Sequence, residues 1–169
     1  MIPVIKISPL KPSAWKQYRD LRIQAIRTDP LAFGSTLAET LKITPKEWKE
    51  RLADKERYTL FASVDGELVG MLIAFLNTNP RSRHNVNLGS FYVRSEYRRM
   101  HIGSLLFERM LAELKKKSFV RKLNLQVGVH QKAAIALYRR YGFKIVGTLK
   151  NEDYFKRKYH DDYIMEKYV

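Results

Sequence analysis

The chain contains no cysteine. Disulfides, thiolate metal sites and a cysteine nucleophile are excluded at once. No apolar run approaches the ~18 residues a transmembrane helix needs. The opening, residues 1–15, lacks a basic segment followed by a sustained apolar stretch, so it does not read as a secretory signal. The expected compartment is the cytoplasm, by default rather than from a positive signal. Acidic residues are scarce: 17 Asp and Glu stand against 32 Lys and Arg, for a net charge of +15. So basic a balance attracts polyanions, namely nucleic acid, an anionic membrane or a phosphate-bearing small molecule. The competing reading is a solvated basic surface. The excess is uneven, because residues 94–169 carry 18 basic and 8 acidic side chains. Part of it needs no ligand. Lys115, Lys116 and Lys117 close a predicted helix, where cations suit the negative end of the dipole.

What is present is enough for one globular domain over residues 1–169. Apolar residues make up 45% of the chain, and a domain of this length hides roughly 70% of its unfolded surface. Residues 4–7 alternate weakly as a first strand. Ser13 begins a helical pattern through Trp15, Tyr18, Leu21 and Ile26, which Asp29 and Pro30 stop. Residues 31–43 read as a loop with a short helical piece. Thr44, Pro45 and Glu47 form a helix-start signal. Residues 58–64 and 67–76 are strands joined by Asp65-Gly66, a preferred two-residue hairpin turn. After a polar loop, residues 86–93 form a strand and 103–117 an amphipathic helix. Residues 122–129 are a strand, and 131–141 a helix ended by Gly142. The last strands, 143–149 and 163–168, are expected to be separated by a polar, charged connection. The order is β-α-α-β-β-β-α-β-α-β-β. A hairpin followed by strand–helix–strand implies an α/β (α+β) fold, a mixed sheet with helices packed on it.

The most informative segment runs from Leu88 to Leu106. It is a buried strand, a short basic turn and a helix opening at Gly103. Such a helix start presents unpaired backbone N–H groups and a positive dipole end. Arg94, Arg98 and Arg99 add charge around it. A second segment, Gln131 to Phe143, follows the next strand.

Together the two segments resemble the GCN5-related N-acetyltransferase (GNAT) superfamily. The family's Arg/Gln-x-x-Gly-x-Gly/Ala turn is matched by Arg98-Arg99-Met100-His101-Ile102-Gly103. Its Asn-x-x-Ala-x-x-Leu-Tyr-x-x-x-Gly-Phe helix is matched by Gln131, Ala134, Leu137, Tyr138, Gly142 and Phe143. The resemblance implies about seven strands, splayed between the fourth and fifth, and about four helices. It also implies acetyl-CoA as cofactor. Backbone groups of Phe91, Tyr92 and Val93 would pair with pantetheine, and one N–H would polarise the thioester carbonyl. The amides from Arg99 through Met100, His101, Ile102 and Gly103 to Ser104 would hold the pyrophosphate. Arg98 and Arg99 would reach the outer phosphates, and Gln131 would replace the motif's asparagine. His101 replaces the first glycine of the turn, which bears on cofactor affinity.

Tyr138 is the implied general acid, placed to protonate the departing thiolate. The general base is open. The fourth-strand glutamate of several relatives is Asn87 here. Glu39 is one candidate, as base or substrate contact. A water chain lined by Asn87 and a backbone carbonyl is another, and His84 a third. Asp161 or Asp162 would attract a cationic acceptor, or would form the turn before a last strand. Histidines 84, 101, 130 and 160 show no ligand spacing, so no metal is expected. The leading expectation is acetyl transfer from acetyl-CoA to a primary amine of a small molecule or peptide, by direct attack in a ternary complex. A homodimer is the family-typical assembly, and no membrane partner is expected. The competing readings are a basic nucleic-acid-binding module and an inactive CoA-binding regulatory protein.

Overall fold

The computed structural model describes residues 3–169, so the first two residues of the expected domain lie outside it. Seven strands form one sheet in the order β1-β2-β3-β4-β5-β7-β6. They are β1 Ile5–Ser8, β2 Arg57–Val64, β3 Glu67–Leu76, β4 Asn85–Val93, β5 Lys122–Gly128, β6 Lys144–Phe155 and β7 Lys158–Tyr168. Five helices accompany it: α1 Trp15–Thr28, the short α2 Leu37–Leu41, α3 Pro45–Ala53, α4 Ile102–Lys115 and α5 Lys132–Arg140.

Burial along β3 is nearly continuous from Val69 to Ala74, because helices cover both faces of the sheet. Alternate side chains serve two cores. Val69, Leu72 and Ala74 pack toward α4 with Leu106, Phe107 and Met110. Met71 packs with Phe61 against Tyr18 and Leu21 of α1 and Trp48 of α3. There the Tyr18 and Trp48 rings meet edge-on, with centroids 4.9 Å apart. Both α2 and α3 begin with a capping box, Thr36 with Glu39 and Thr44 with Glu47. Each box satisfies two otherwise orphaned amides.

One junction positions the site. β4 and β5 pair in parallel only from Asn85–Lys122 to Leu88–Leu125. Both strands continue beyond that, β4 to Val93 and β5 to Gly128. β4 also carries an extra residue relative to β3, with the register shifting between Met71 and Ile73. Ser90 sits at the irregularity with a φ of 51°. A bulge bends and twists its strand, and here it accompanies the parting of β4 from β5.

The expected polar connection between the last two strands is corrected. It is itself a hairpin, with β6 reaching Phe155 and β7 starting at Lys158. The run Lys150-Asn151-Glu152-Asp153 is polar throughout, so no apolar alternation marks the outer half of β6 in the sequence. The turn is Lys156-Arg157, both at positive φ, where Asn-Gly or Asp-Gly would have been the usual signal. A further irregularity between Leu149 and Asp153 breaks the period again.

Candidate active site

The splay opens a cleft of about 740 Å³, with Leu88 and Phe91 of β4 on one wall and Val127 of β5 on the other. Past Leu88 the β5-facing edge of β4 has no strand partner among the described residues. That stretch includes Phe91, Tyr92 and Val93. The ring of Phe91 faces the cleft and packs 6.0 Å from Tyr138. Tyr92 turns to the other face, where its hydroxyl and Thr28 Oγ1 are 3.0 Å apart.

The turn after β4 ends in α4, whose N-cap is His101 at φ 60°, with no side-chain cap. Leu105 N donates to His101 O at 3.0 Å, the first bond of the helix. The preceding amides, those of Ile102, Gly103 and Ser104, therefore have no partner within the helix. Arg99 is left-handed as well, at φ 66°. Left-handed residues interspersed in such a turn aim successive N–H groups into a concavity that suits an anion. The backbone thus keeps the glycine-type path at His101 despite the side chain, which is exposed. Ile102 is buried in the core and Met100 packs against it. A Cβ on Gly103 would stand 3.1 Å from Phe91 Cζ, so this glycine lets the helix start approach β4.

The two arginines of the turn differ. Arg98 is tied down, donating to Val93 O at 2.8 Å and Asp29 Oδ2 at 2.6 Å. Its guanidinium braces the turn against the end of α1. Arg99 is exposed and makes no ion pair among the described residues.

Tyr138 lies on the cleft wall, 7% exposed, ringed by Phe91, Phe107 and Phe143. Burial pushes its phenol well above the usual tyrosine value, so it carries its proton at any working pH. One turn earlier Ala134 lines the same wall, and Gln131 stands at the helix start with no side-chain cap bond. This amide is free to serve a ligand.

Glu39 reaches the cleft rim, but its carboxylate is engaged in the α2 capping box. Oε2 accepts from Thr36 N at 2.7 Å and Thr36 Oγ1 at 2.9 Å. These bonds hold its pKa below the ordinary range. That disposition makes it a helix cap and a poor proton acceptor. Asn87 and His84 are exposed and do not line the cleft.

The two tail aspartates part company. Asp161 accepts from Lys150 Nζ at 2.7 Å and Asn151 N at 2.9 Å, away from the cleft. Asp162 is buried, lines the cleft and accepts from Gln126 Nε2 at 2.9 Å. Beside it is Asp153, which lies past the expected end of the strand at residue 149. Burial first, then the neighbouring Asp162, raises the Asp153 carboxyl above its ordinary value. Sequence reasoning also missed Arg22, Arg51 and Arg57, which line the cleft from α1, α3 and β2. A buried arginine amid the apolar positions of α1 was the available signal. Arg22 donates to Ser90 Oγ at 2.5 Å and Ser35 Oγ at 3.0 Å. Burial brings its pKa down to about 10, still cationic at neutral pH. The cleft is therefore basic on the α1–α3 side and acidic toward β6 and β7.

Known proteins place this architecture. Residues 21–143 match the acetyltransferase (GNAT) family. The chain is 31% identical over 146 residues to the L-amino acid N-acetyltransferase AaaT of Escherichia coli, covering 86% of this chain and 89% of that one. It is 31% identical over 109 residues to an N-alpha-acetyltransferase of Sulfurisphaera tokodaii, covering 60% and 65%. Among solved structures, a GNAT-family acetyltransferase of Streptococcus pneumoniae superposes with a TM-score of 0.87 at 25% identity, over 98% of this chain and 99% of that one. The chain belongs to the GNAT family of acetyltransferases. Among the described residues no helix is long and apolar enough to cross a membrane.

Proposed function

We propose that this enzyme, read as one acetyltransferase domain, moves the acetyl group of acetyl-CoA directly to the primary amine of a small acceptor, both bound at once. Acetyl-CoA supplies the activated acyl group. The observation that carries the reading is the parting of β4 and β5 beside the uncapped start of α4. An unpartnered strand edge suits the amide-bearing pantetheine arm, and converging amides suit the diphosphate. The amides from Arg99 to Ser104 hold the diphosphate, the exposed Arg99 adds charge, and Gln131 contributes its free amide. The β4 edge at Phe91, Tyr92 and Val93 holds the arm and steadies charge developing on the acyl oxygen.

Tyr138 donates its proton to the departing sulfur. Asp162 and Asp153 draw the ammonium form of the acceptor, and Asp153 takes the proton before attack. The raised pKa of the Asp153 carboxyl suits it to accept that proton. Glu39 caps α2 at the rim. A relative that acts on L-amino acids supports a small acceptor. Calorimetric titration with acetyl-CoA, followed by thiol release with an amine panel, tests the reading. Saturable binding and amine-dependent thiol release are expected. No binding at millimolar cofactor overturns it.

A further inference from the structure

The arginines on the α1–α3 side of the cleft are not used by the acetyl-transfer chemistry. Arg22 is 7% exposed, and it has no carboxylate partner. None of Arg22, Arg51 and Arg57 makes an ion pair among the described residues, although nine ion pairs occur elsewhere. Their mutual repulsion is felt at Arg22, where both Arg57 and Arg51 disfavour the charge. Buried charges are normally paired. Here two neutral hydroxyls, Ser90 and Ser35, fix the orientation of the guanidinium without neutralising it. The ring of Phe33 stacks on it at 4.7 Å. Arg22 Nε and Arg57 Nε are both buried without a hydrogen-bond partner. Arg57 is also held in place, donating to Tyr18 Oη at 2.9 Å and lying over Phe75 at 5.2 Å. Three cations, two of them fixed, with unused donors and no ion-pair partner among the described residues, border a cavity whose carboxylates, Glu39, Asp153 and Asp162, pair with none of them.

We infer that the Arg22–Arg57 cluster is a carboxylate-binding subsite, and that the acceptor is an amino acid, its carboxylate on the arginines and its amine toward Asp162. A planar guanidinium fork matches a carboxylate better than any neutral group. The bond from Arg22 to Ser90 anchors this subsite to the β4 bulge, next to the place where the acyl group is read to lie. With the carboxylate held there, the amine lies between the acyl group on β4 and Asp162 on β7. The inference rests on the acetyl-transfer reading for the amine's role, but the subsite stands on the arginines alone.

The test has two arms. In the first, the twenty protein amino acids are compared with their primary amides and decarboxylated amines, and with phosphoethanolamine, by acetyl-CoA-dependent thiol release. At least one amino acid should exceed its amide in kcat/KM by about 100-fold. Arg22→Met and Arg57→Met should each shrink that ratio at least tenfold, while Arg22→Lys keeps part of it. Equal use of acid and amide, a preference for phosphoethanolamine, or an undiminished ratio in both Met variants overturns the subsite. In the second arm, N-acetyl amino acids and N-acetyl amino amides are titrated calorimetrically onto the CoA-loaded protein. Carboxylate-dependent binding lost in Arg57→Met supports the subsite even if no amine releases thiol, a result that would sink the acetyl-transfer reading alone. Equal affinity for acid and amide overturns the subsite even if thiol release succeeds. Cooperative unfolding of each variant identifies one that fails to fold, and the other then carries the comparison.

Discussion

The rings of Phe91 and Tyr138 lie 6.0 Å apart at a tilt of 49° and both line the cleft. They come from opposite sides of the splay, one from β4 and the other from α5. Their packing, with Phe107 and Phe143 behind, is what dries the phenol and raises its pKa. Tyr138→Phe removes only the hydroxyl and leaves that packing intact. Turnover should fall by roughly 10- to 1000-fold, while calorimetry should give unchanged CoA affinity. Because the phenol is raised, the wild-type rate should show no alkaline loss from tyrosine ionisation up to pH ~10. Unchanged turnover in Tyr138→Phe would remove the residue from the chemistry.

At the start of α4, His101 holds a φ of 60°, which costs an L residue on the order of 1 kcal/mol relative to glycine. His101→Gly should raise the melting temperature or leave it unchanged, and should not weaken CoA binding. Gly103→Ala should do the opposite. Its Cβ meets the Phe91 ring at 3.1 Å, so the ring must shift or the helix must back away from β4. Loss of stability and of CoA affinity should appear together, read by thermal unfolding and calorimetry on the same samples.

Much of this was legible in the chain because local chemistry carried it. The turn Asp65-Gly66, the start at Thr44-Pro45 and the alternation of Leu123, Leu125 and Val127 each report their own element. The Arg98-to-Gly103 and Gln131-to-Phe143 segments, close in space across the splay, could be aligned by motif. What stayed hidden depends on long-range placement. Arg22 reaches Ser90 across 68 residues; its place among the apolar positions of α1 hints at burial, but nothing local shows which partner it meets. Asp153 ends the polar run Lys150-Asn151-Glu152-Asp153, which shows no apolar alternation in sequence although Asp153 is partly buried in the fold. Asp161 and Asp162 are adjacent, so only the register of β7 decides which of them enters the cleft.

Glu39 offers a sharp contrast between a capping and a catalytic role. Two bonds from Thr36 hold its carboxylate ionised and occupied. Glu39→Gln keeps an acceptor for the Thr36 amide, so kcat should change by less than about threefold, whereas loss of a base typically costs ~100-fold or more. Thr36→Ala removes the cap and should cost about 1 kcal/mol of stability. If Glu39→Gln instead abolishes turnover with native-like unfolding, the proton acceptor is Glu39.

At Asp153, stability and activity should respond to pH in opposite senses. Its folded pKa is raised, chiefly by burial and next by Asp162. The folded state therefore binds this proton more tightly than the unfolded state does. The stabilising contribution is present below the unfolded value of about 3.9 and is lost as pH rises through the raised folded value. At neutral pH the ionised Asp153 is thus a liability to the fold. Asp153→Asn should unfold at a higher temperature than wild type at pH 7, and that advantage should shrink as the pH approaches 4. Activity should run the other way. The wild-type kcat should fall on the acid side as Asp153 is protonated, and the variant should be slow at every pH with that limb gone. A variant that is both less stable at pH 7 and equally active would remove Asp153 from the base role.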